Sequence, residues 1–350
     1  MAFSVTVQSS GHQFAVEDHQ TVLGAALAAG IGLPYGCRNG ACGSCKGRVV
    51  SGQVEHDVHQ ASALSADEKA NGLALFCCAH ARSDLIIEAR EVKGAGEIPI
   101  RKMPARVASI DRVAPDVVVV RLQLPAAERF LYLAGQYIEL ILKDGKRRSY
   151  SMASAPHVLE QQVELHIRHL PGGLLTDQIF ADVPTMMKPR DILRFEGPLG
   201  TFFLREESEQ PMVLLASGTG YAPVKALIEQ CILKQITRPM VLYWGGRRPH
   251  DLYMRDQAEA FAAALANFRF VPVVSDALPE DRWAGRTGFV HRAVVDDFPD
   301  LSGHEVYACG APIVIDSARR DFVAECGLVA DNFYADSFTT EADLAREPIA

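Results

Sequence analysis

The first hundred residues change hydrophobic period several times. Apolar and polar residues alternate from Phe3 to Val7 and again from His12 to Val16, with Gly11 between the runs. Period-two alternation across a Gly predicts a β-hairpin. VLGAALAAG, residues 22–30, predicts a helix that Thr21 caps and Gly30 stops. KGRVVSGQVE reads as strand and turn. Ser65 to Gly72 predicts a short helix, because SADE carries the capping-box pattern. Leu73 to Cys77 and Leu85 to Glu88 read as strands. Residues 93–102, within VKGAGEIPIRK, show no period and hold two Gly and a Pro, so they read as a linker after a first domain of 1–92.

Beyond the linker, VASIDRV, DVVVVRLQL and QYIELIL are serial short strands, which predict a small antiparallel barrel over 103–206. In HIRHLPGGLLTDQIF, Gly172 and Gly173 make a turn and LLTDQIFADV reads as a helix. FEGPLGTFFL, residues 195–204, reads as the closing strand. From Met212 the pattern shifts to strand–helix alternation. MVLLASGTGYAPVKALIEQC is an apolar strand, a Gly-rich turn and a helix. MVLYWGG, FRFVPVVS and EVYACG are further strands; DLYMRDQAEAFAAALA and PIVIDSARRDFVAECG are helical. Such alternation over 207–350 predicts a parallel sheet with ligand at the carboxyl ends of its strands.

Composition changes this picture little. A chain of 350 residues suits two or three domains. No run approaches about 18 consecutive apolar residues, so no membrane partner is expected. MAFSVTVQSS has neither a basic n-region nor a long apolar core, so no signal peptide is expected. The expected location is cytoplasmic, which suits reduced cysteines. A net charge of −8 argues against nucleic acid, whose phosphates select a basic surface.

The chemistry concentrates in PYGCRNGACGSCK, residues 34–46. Cys37, Cys42 and Cys45 stand at C-x4-C-x2-C spacing, and Cys77 follows after 31 residues. Two irons bridged by two sulfides need four thiolates if each iron is to be tetrahedral, and this spacing is that of plant-type 2Fe–2S centres. Gly36, Gly40 and Gly43 let the loop turn its N–H groups toward the sulfurs. A zinc site more often repeats C-x2-C, and eight Cys in this length are too few for a disulfide-stapled module. Cys77 and Cys78 are adjacent, and strand neighbours point to opposite faces, so only one of them faces the loop. Arg38 inside the loop reads equally as a partner that shapes it or as a solvated surface residue.

RSYS, PGGLLT, GTGYAP and YACGAP then occur in that order. Residues 1–92 resemble a plant-type ferredoxin domain, and the whole chain resembles the ferredoxin–NADP reductase-like flavoproteins that carry an N-terminal ferredoxin. That family includes reductase components of bacterial multicomponent oxygenases. The resemblance implies a multidomain fold: an α+β β-grasp 2Fe–2S domain, an antiparallel β-barrel FAD domain and an α/β parallel-sheet NAD domain. It implies Cys37, Cys42, Cys45 and Cys77 as iron ligands, since Leu75 and Asp84 stand where the family's Leu and Asp flank the fourth Cys. Cys78, Cys231 and Cys326 are then packing residues.

For FAD, the resemblance implies that Arg148 pairs with the diphosphate, Tyr150 packs on the ring, and Ser151, after Ser149, hydrogen-bonds near the flavin N5. Spacing alone places Arg148 and Tyr150 on one strand face and Arg147 on the other. His166, Ile167 and Arg168 resemble the strand beside the flavin. Gly172, Gly173, Leu174 and Thr176 resemble the turn and helix start at its diphosphate. Gly218, Thr219 and Gly220 make the close turn over the nicotinamide dinucleotide. Pro223 stands where a dehydrogenase-type fingerprint has its third Gly, so that fingerprint is absent. Cys309 and Gly310 are implied beside the nicotinamide, which makes Ser151 and Cys309 the catalytic candidates. Gly245, Arg247 and Arg248 fall near the adenosine ribose; NADH is expected, with NADPH the alternative. Phe338 is the candidate for ring stacking, although about twelve residues follow it.

Three redox stations on one chain have a chemical reason. Hydride carries two electrons, a 2Fe–2S cluster takes one, and a flavin handles both. The expected function is an NAD(P)H-dependent reductase that passes electrons through FAD and the cluster to a redox protein, a dehydratase or an oxygenase component. The alternative of another class is a non-catalytic ferredoxin-like redox-sensing module. RSYS, GTGYAP and CGAP together speak against it, and bleaching of bound flavin by NADH or NADPH discriminates the two.

Overall fold

The computed structural model describes residues 2–180 and 186–339, and these separate into two compact units, one of residues 2–99 with 337–339 and one of Ile100–Asp336. In the first, β1 (Ala2–Val7) and β2 (Gln13–Glu17) form the expected hairpin, with Val5 opposite Phe14. α1 (Val22–Ala28) opens on Thr21, whose hydroxyl accepts the Gly24 N–H at 3.1 Å, and Gly30 leaves it at φ +77°. β3 (Lys46–Ser51) and β4 (Val54–His56) follow the cysteine loop. α2 (Ala66–Ala70) carries the capping box of Ser65 and Glu68. β5 (Leu73–Leu75), β6 (Ala79–Ala81) and β7 (Leu85–Glu88) complete the unit. The main sheet runs β2-β1-β7-β3-β5, a β-grasp arrangement over buried Val5, Val7, Leu23, Ala26, Leu75 and Ile87.

One expectation changes here. The strand expected to reach Cys77 ends at Leu75, because the Cys78 N–H turns back to the Leu75 carbonyl at 2.9 Å. Cys77 and Cys78 therefore lie in a turn, and strand alternation does not separate their sulfurs.

In the second unit β8 (Arg101–Ala114) starts inside the expected linker: Arg101 and Lys102 pair with Gly197 and Glu196. β9 (Val117–Gln123), β10 (Tyr137–Ile141), β11 (Arg147–Ser151), β12 (Gln162–Arg168), α3 (Leu174–Phe180) and β13 (Ile192–Leu199) follow. Part of the expected helix, residues 181–183, lies outside the described residues. The sheet order is β11-β10-β13-β8-β9-β12, and a bridge from Met152 to Leu165 closes it into a barrel. Val163, Leu165 and Ile167 of β12 fill the interior with Val118, Val120 and Phe195. Each such buried side chain contributes roughly 1.5–3 kcal/mol.

The nucleotide half of this unit has β14 (Met212–Ser217), α4 (Tyr221–Leu233), β15 (Met240–Gly246), α5 (Arg255–Ala264), β16 (Phe268–Val274), β17 (Arg286–Thr287), α6 (Val290–Asp297), β18 (Glu305–Gly310), α7 (Pro312–Cys326) and β19 (Phe333–Ser337). Its order is β17-β16-β15-β14-β18-β19, with β14 parallel to both β15 and β18. α5 begins four residues later than its apolar pattern predicts. The cause is Asp251, whose carboxylate accepts the Arg247 and Arg248 N–H groups at 2.8 and 3.0 Å and holds residues 249–251 as a separate 3-10 turn.

Candidate functional site

The cysteine loop gathers its sulfurs in two pairs. The N–H groups of Ala41 and Cys42 donate to Cys37 Sγ at 3.4 and 3.3 Å, and the Cys37 N–H donates to Cys42 Sγ at 3.4 Å. Cys45 and Cys77 form the second hydrogen-bonded pair, and the Gly40 N–H points at Cys77. Hydrogen bonding within the pairs pushes the Cys37 and Cys45 thiols up and pulls Cys42 and Cys77 down. A Cβ on Gly36 would meet Cys42 Sγ at 3.3 Å, and one on Gly40, held at φ +76°, would meet Cys78 Sγ at 2.8 Å. Arg38 adopts φ 63°, so a non-glycine residue takes the left-handed conformation inside the loop. Among the described residues no three His, Cys, Asp or Glu side chains converge as a single ion requires. Two thiol pairs ringed by inward N–H groups fit a two-iron, two-sulfide group instead.

At the flavin-like motif, β11 separates its arginines as expected. Arg147 pairs with Glu139 at 2.7 Å and Glu196 at 3.1 Å, while Arg148 and Tyr150 share the other face. Arg148 Nη1 donates to the Arg147 carbonyl at 2.8 Å. Tyr150 packs on the barrel core, and burial pushes its phenol up to about 12. Ser149 is exposed. Ser151 is buried and donates to Asp336 Oδ2 at 3.0 Å, and Cys309 Sγ lies 4.0 Å from the same oxygen. The two residues expected as catalytic thus meet on one carboxylate. Burial first, then the Asp336 charge, pushes the Cys309 thiol well up. Sequence reasoning missed Asp336. It stands inside NFYADSF, a segment singled out for its aromatics, and nothing in its spacing signals a partner 185 residues away.

β12 carries the second missed feature. Its alternate side chains Glu164, His166 and Arg168 face away from the barrel interior, and each takes a partner from the nucleotide half. Lys225 of α4 lies 3.2 Å from Glu164 and 2.7 Å from Glu229, and it donates to the Ala153 carbonyl at 2.9 Å. His166 sits between Glu164 Oε1 at 3.2 Å and the Tyr253 hydroxyl at 2.8 Å. Arg168 Nη1 pairs with Asp251 at 3.0 Å and Asp116 at 3.2 Å. The His166 imidazole is therefore consumed by protein partners, and Ile167 points into the barrel. Arg168 remains available: its Nε and Nη2 are buried without a partner, and Nη2 lies 3.6 Å from where a Cβ on Gly218 would stand. Orphaned guanidinium donors beside a Gly-rich turn fit a phosphate.

Thr176 caps its turn, donating to the Leu170 carbonyl at 2.8 Å, and Gly172, at φ +83°, gives its N–H to Asp177 at 3.1 Å. Gly173 is a tight fit, since a Cβ there would lie 2.5 Å from Thr176 Oγ1. Leu174 is exposed. Over the nucleotide half, Trp244 Nε1 donates to the Gly218 carbonyl at 2.9 Å, and Tyr221 stacks on Trp244 at 3.9 Å. Gly220 touches the last strand so closely that a Cβ would lie 2.0 Å from the Cys309 carbonyl oxygen. A Cβ on Gly310 would likewise meet Ser217 Cβ at 2.6 Å. Thr219 sits within this turn, and Pro223 is buried in the first turn of α4. Gly245 packs under Val290 of α6, where a Cβ would be 2.7 Å away, so its role is helix packing. Arg247 is exposed; the Arg248 guanidinium is bound to both oxygens of Asp281 at 2.7 and 2.8 Å. Phe338, half-buried, follows the end of β19, and the tail from residue 340 lies outside the described residues.

Three domain families match the chain: "2Fe-2S iron-sulfur cluster binding domain" over residues 5–82, "Oxidoreductase FAD-binding domain" over 104–204 and "Oxidoreductase NAD-binding domain" over 214–320. The CDP-6-deoxy-L-threo-D-glycero-4-hexulose-3-dehydrase reductase of Yersinia pseudotuberculosis is 40% identical over 338 residues, covering 97% of this chain and 99% of the relative. Terephthalate 1,2-dioxygenase reductase component 1 of Comamonas sp. is 34% identical over 342 residues, covering 97% and 98%. A crystal structure of an Amycolatopsis cytochrome P450 reductase superposes with a TM-score of 0.78 at 34% identity, over 97% of this chain and 99% of that one.

Proposed function

The chain belongs to the ferredoxin–NADP reductase-like flavoproteins with an N-terminal 2Fe–2S domain, and from that premise we propose which residues serve its electron transfer and what receives the electrons. It is an NAD(P)H-dependent oxidoreductase that carries electrons from NAD(P)H through FAD to a 2Fe–2S cluster and on to a redox partner. The cofactors supply the redox chemistry; the chain supplies ligands, orientation and a dry setting. Cys37 and Cys42 hold one iron, and Cys45 and Cys77 hold the other. Arg148 and the turn at Gly172–Thr176 take the flavin diphosphate, and Tyr150 packs on the ring. Arg168 and the Gly218–Gly220 turn take the dinucleotide's phosphates. Ser151 and Cys309 border the reacting atoms, and Asp336 fixes both. Arg247 faces the adenosine ribose, and NADH is the preferred donor.

The acceptor we propose is a sugar-nucleotide dehydratase, the kind of partner that the Yersinia relative's name gives; an oxygenase component is the second reading. The supporting observation is 40% identity along nearly the full length of a dehydrase reductase, against 34% for a dioxygenase reductase. No helix among the described residues is long and apolar enough to cross a membrane. A cytoplasmic location, and no nucleic-acid partner at a net charge of −8, belong to the same reading.

Cys42→Ala tests the order of the stations. It is expected to lose the cluster, keep NADH oxidation by ferricyanide, and lose reduction of the one-electron acceptor cytochrome c. Equal loss of both activities in a folded, flavin-loaded variant sinks the linear route.

A further inference from the structure

The four-cysteine ligand set uses every thiol of the first unit but one. Cys78 is buried, and its Sγ lies 3.5 Å from Cys77 Sγ. Two thiolates on one tetrahedral metal stand about 3.7 Å apart, given a metal–sulfur bond of about 2.3 Å. The two sulfurs are therefore spaced as two ligands of a single ion would be. Their backbone explains it. β5 ends at Leu75, and the Cys78 N–H closes a turn on the Leu75 carbonyl at 2.9 Å. In a strand, successive side chains would diverge to opposite faces; in this turn they do not. The second observation comes from the facing loop. Gly40 lies directly on the Cys78 sulfur, leaving 2.8 Å to a would-be Cβ, so buried Cys78 points at the ligand loop.

We propose that Cys78 is a reserve iron ligand, which takes over the position of Cys77 when that thiolate is lost. This deepens the electron-transfer reading and rests on it. In the exchange the bond from iron to Cys77 sulfur breaks and a bond from iron to Cys78 sulfur forms. The incoming thiol gives its proton to the outgoing thiolate, and no electrons are gained or lost. The turn permits the swap with little backbone movement, because both sulfurs already flank Gly40. Cys45, by contrast, has no adjacent thiol in sequence.

The test compares Cys77→Ala, Cys78→Ala, the double variant and Cys45→Ala in the full chain. Iron and acid-labile sulfide are assayed, and paramagnetic resonance spectra are recorded after dithionite reduction. Alanine is used because serine can itself ligate iron. Cys77→Ala is expected to keep at least half of the wild-type iron, with altered g values. The double variant and Cys45→Ala are expected to fall to roughly a tenth or less, all at wild-type flavin content. Cys78→Ala should load normally but lose iron to a chelator several-fold faster than wild type. Loss in Cys77→Ala as complete as in Cys45→Ala overturns the proposal, as do iron retained in the double variant and equal chelator rates. Iron missing from the wild type overturns the electron-transfer assignment itself, which separates the two failures.

Discussion

Lys225→Met should destabilise the Ile100–Asp336 unit more than a surface change would. The Lys225 ammonium is buried and touches Glu164, Glu229 and the Ala153 carbonyl, at 3.2, 2.7 and 2.9 Å. Methionine keeps the length and apolar stem but leaves buried Glu229 without its cation and buried Glu164 with Arg121 alone, at 2.9 Å. Removing one partner of a buried ion pair costs about 3–5 kcal/mol. For a unit of this size each kcal/mol is worth roughly 2–4 °C. The expected drop in melting temperature is therefore roughly 6–20 °C. Flavin release, followed by fluorescence at fixed protein and FAD concentration, reports it. The triple variant Lys225→Met, Glu164→Gln, Glu229→Gln should recover a large part of the loss, because it removes the stranded charges along with the cation. A single variant within 3 °C of wild type would refute the reasoning, and so would a triple variant less stable than the single one.

Three further outcomes follow from the same geometry. Arg148→Ala should weaken FAD binding about 10–100-fold, the worth of a charge-assisted hydrogen bond of about 1.5–3 kcal/mol; full flavin occupancy after dialysis removes the assignment. Gly220→Ala should raise the KM for NADH at unchanged flavin and iron content, since its Cβ would lie 2.0 Å from a backbone oxygen; an unaltered KM shows that the turn is not the dinucleotide site. Burial pushes the Glu164 carboxyl up, but the His166 hydrogen bond and the Lys225 charge outweigh it and hold the group at about 2. A depressed carboxyl stabilises the fold above its unfolded value of about 4.3 and loses that contribution as pH falls toward 2, about 3 kcal/mol in all. Melting temperature should fall across that window more steeply in wild type than in Glu164→Gln; parallel curves would count against the depressed carboxyl.

Local chemistry was the part legible in the sequence. Thr21 and the pair Ser65–Glu68 announce helix starts, and both cap as written. The C-x4-C-x2-C spacing announces a two-iron loop because three of its four ligands lie within nine residues. MVLYWGG and EVYACG announce buried parallel strands, and the strands have those bounds. What stayed hidden depends on contacts far apart in the chain. Asp336 reaches Ser151 and Cys309 only after three strands have been brought together. The polar side of β12 reads as ordinary alternation, since a solvated face and a face buried against salt-bridging partners have the same period. Cys77 misled in a smaller way: an apolar run gives no sign that a backbone turn ends it two residues early.

The two-sided strand β12 also limits how this protein can be recombined with its relatives. One side of Gln162–Arg168 belongs to the barrel interior and the other to salt bridges on the nucleotide half. A one-residue insertion there would send charged groups inward and Val163, Leu165 and Ile167 onto carboxylates. A chimera joined near residue 206 separates Glu164, His166 and Arg168 from Lys225, Tyr253 and Asp251, and must import both sets from one parent. A junction near residue 99 cuts none of these pairs, so ferredoxin modules should be exchangeable there while flavin and nucleotide modules travel together.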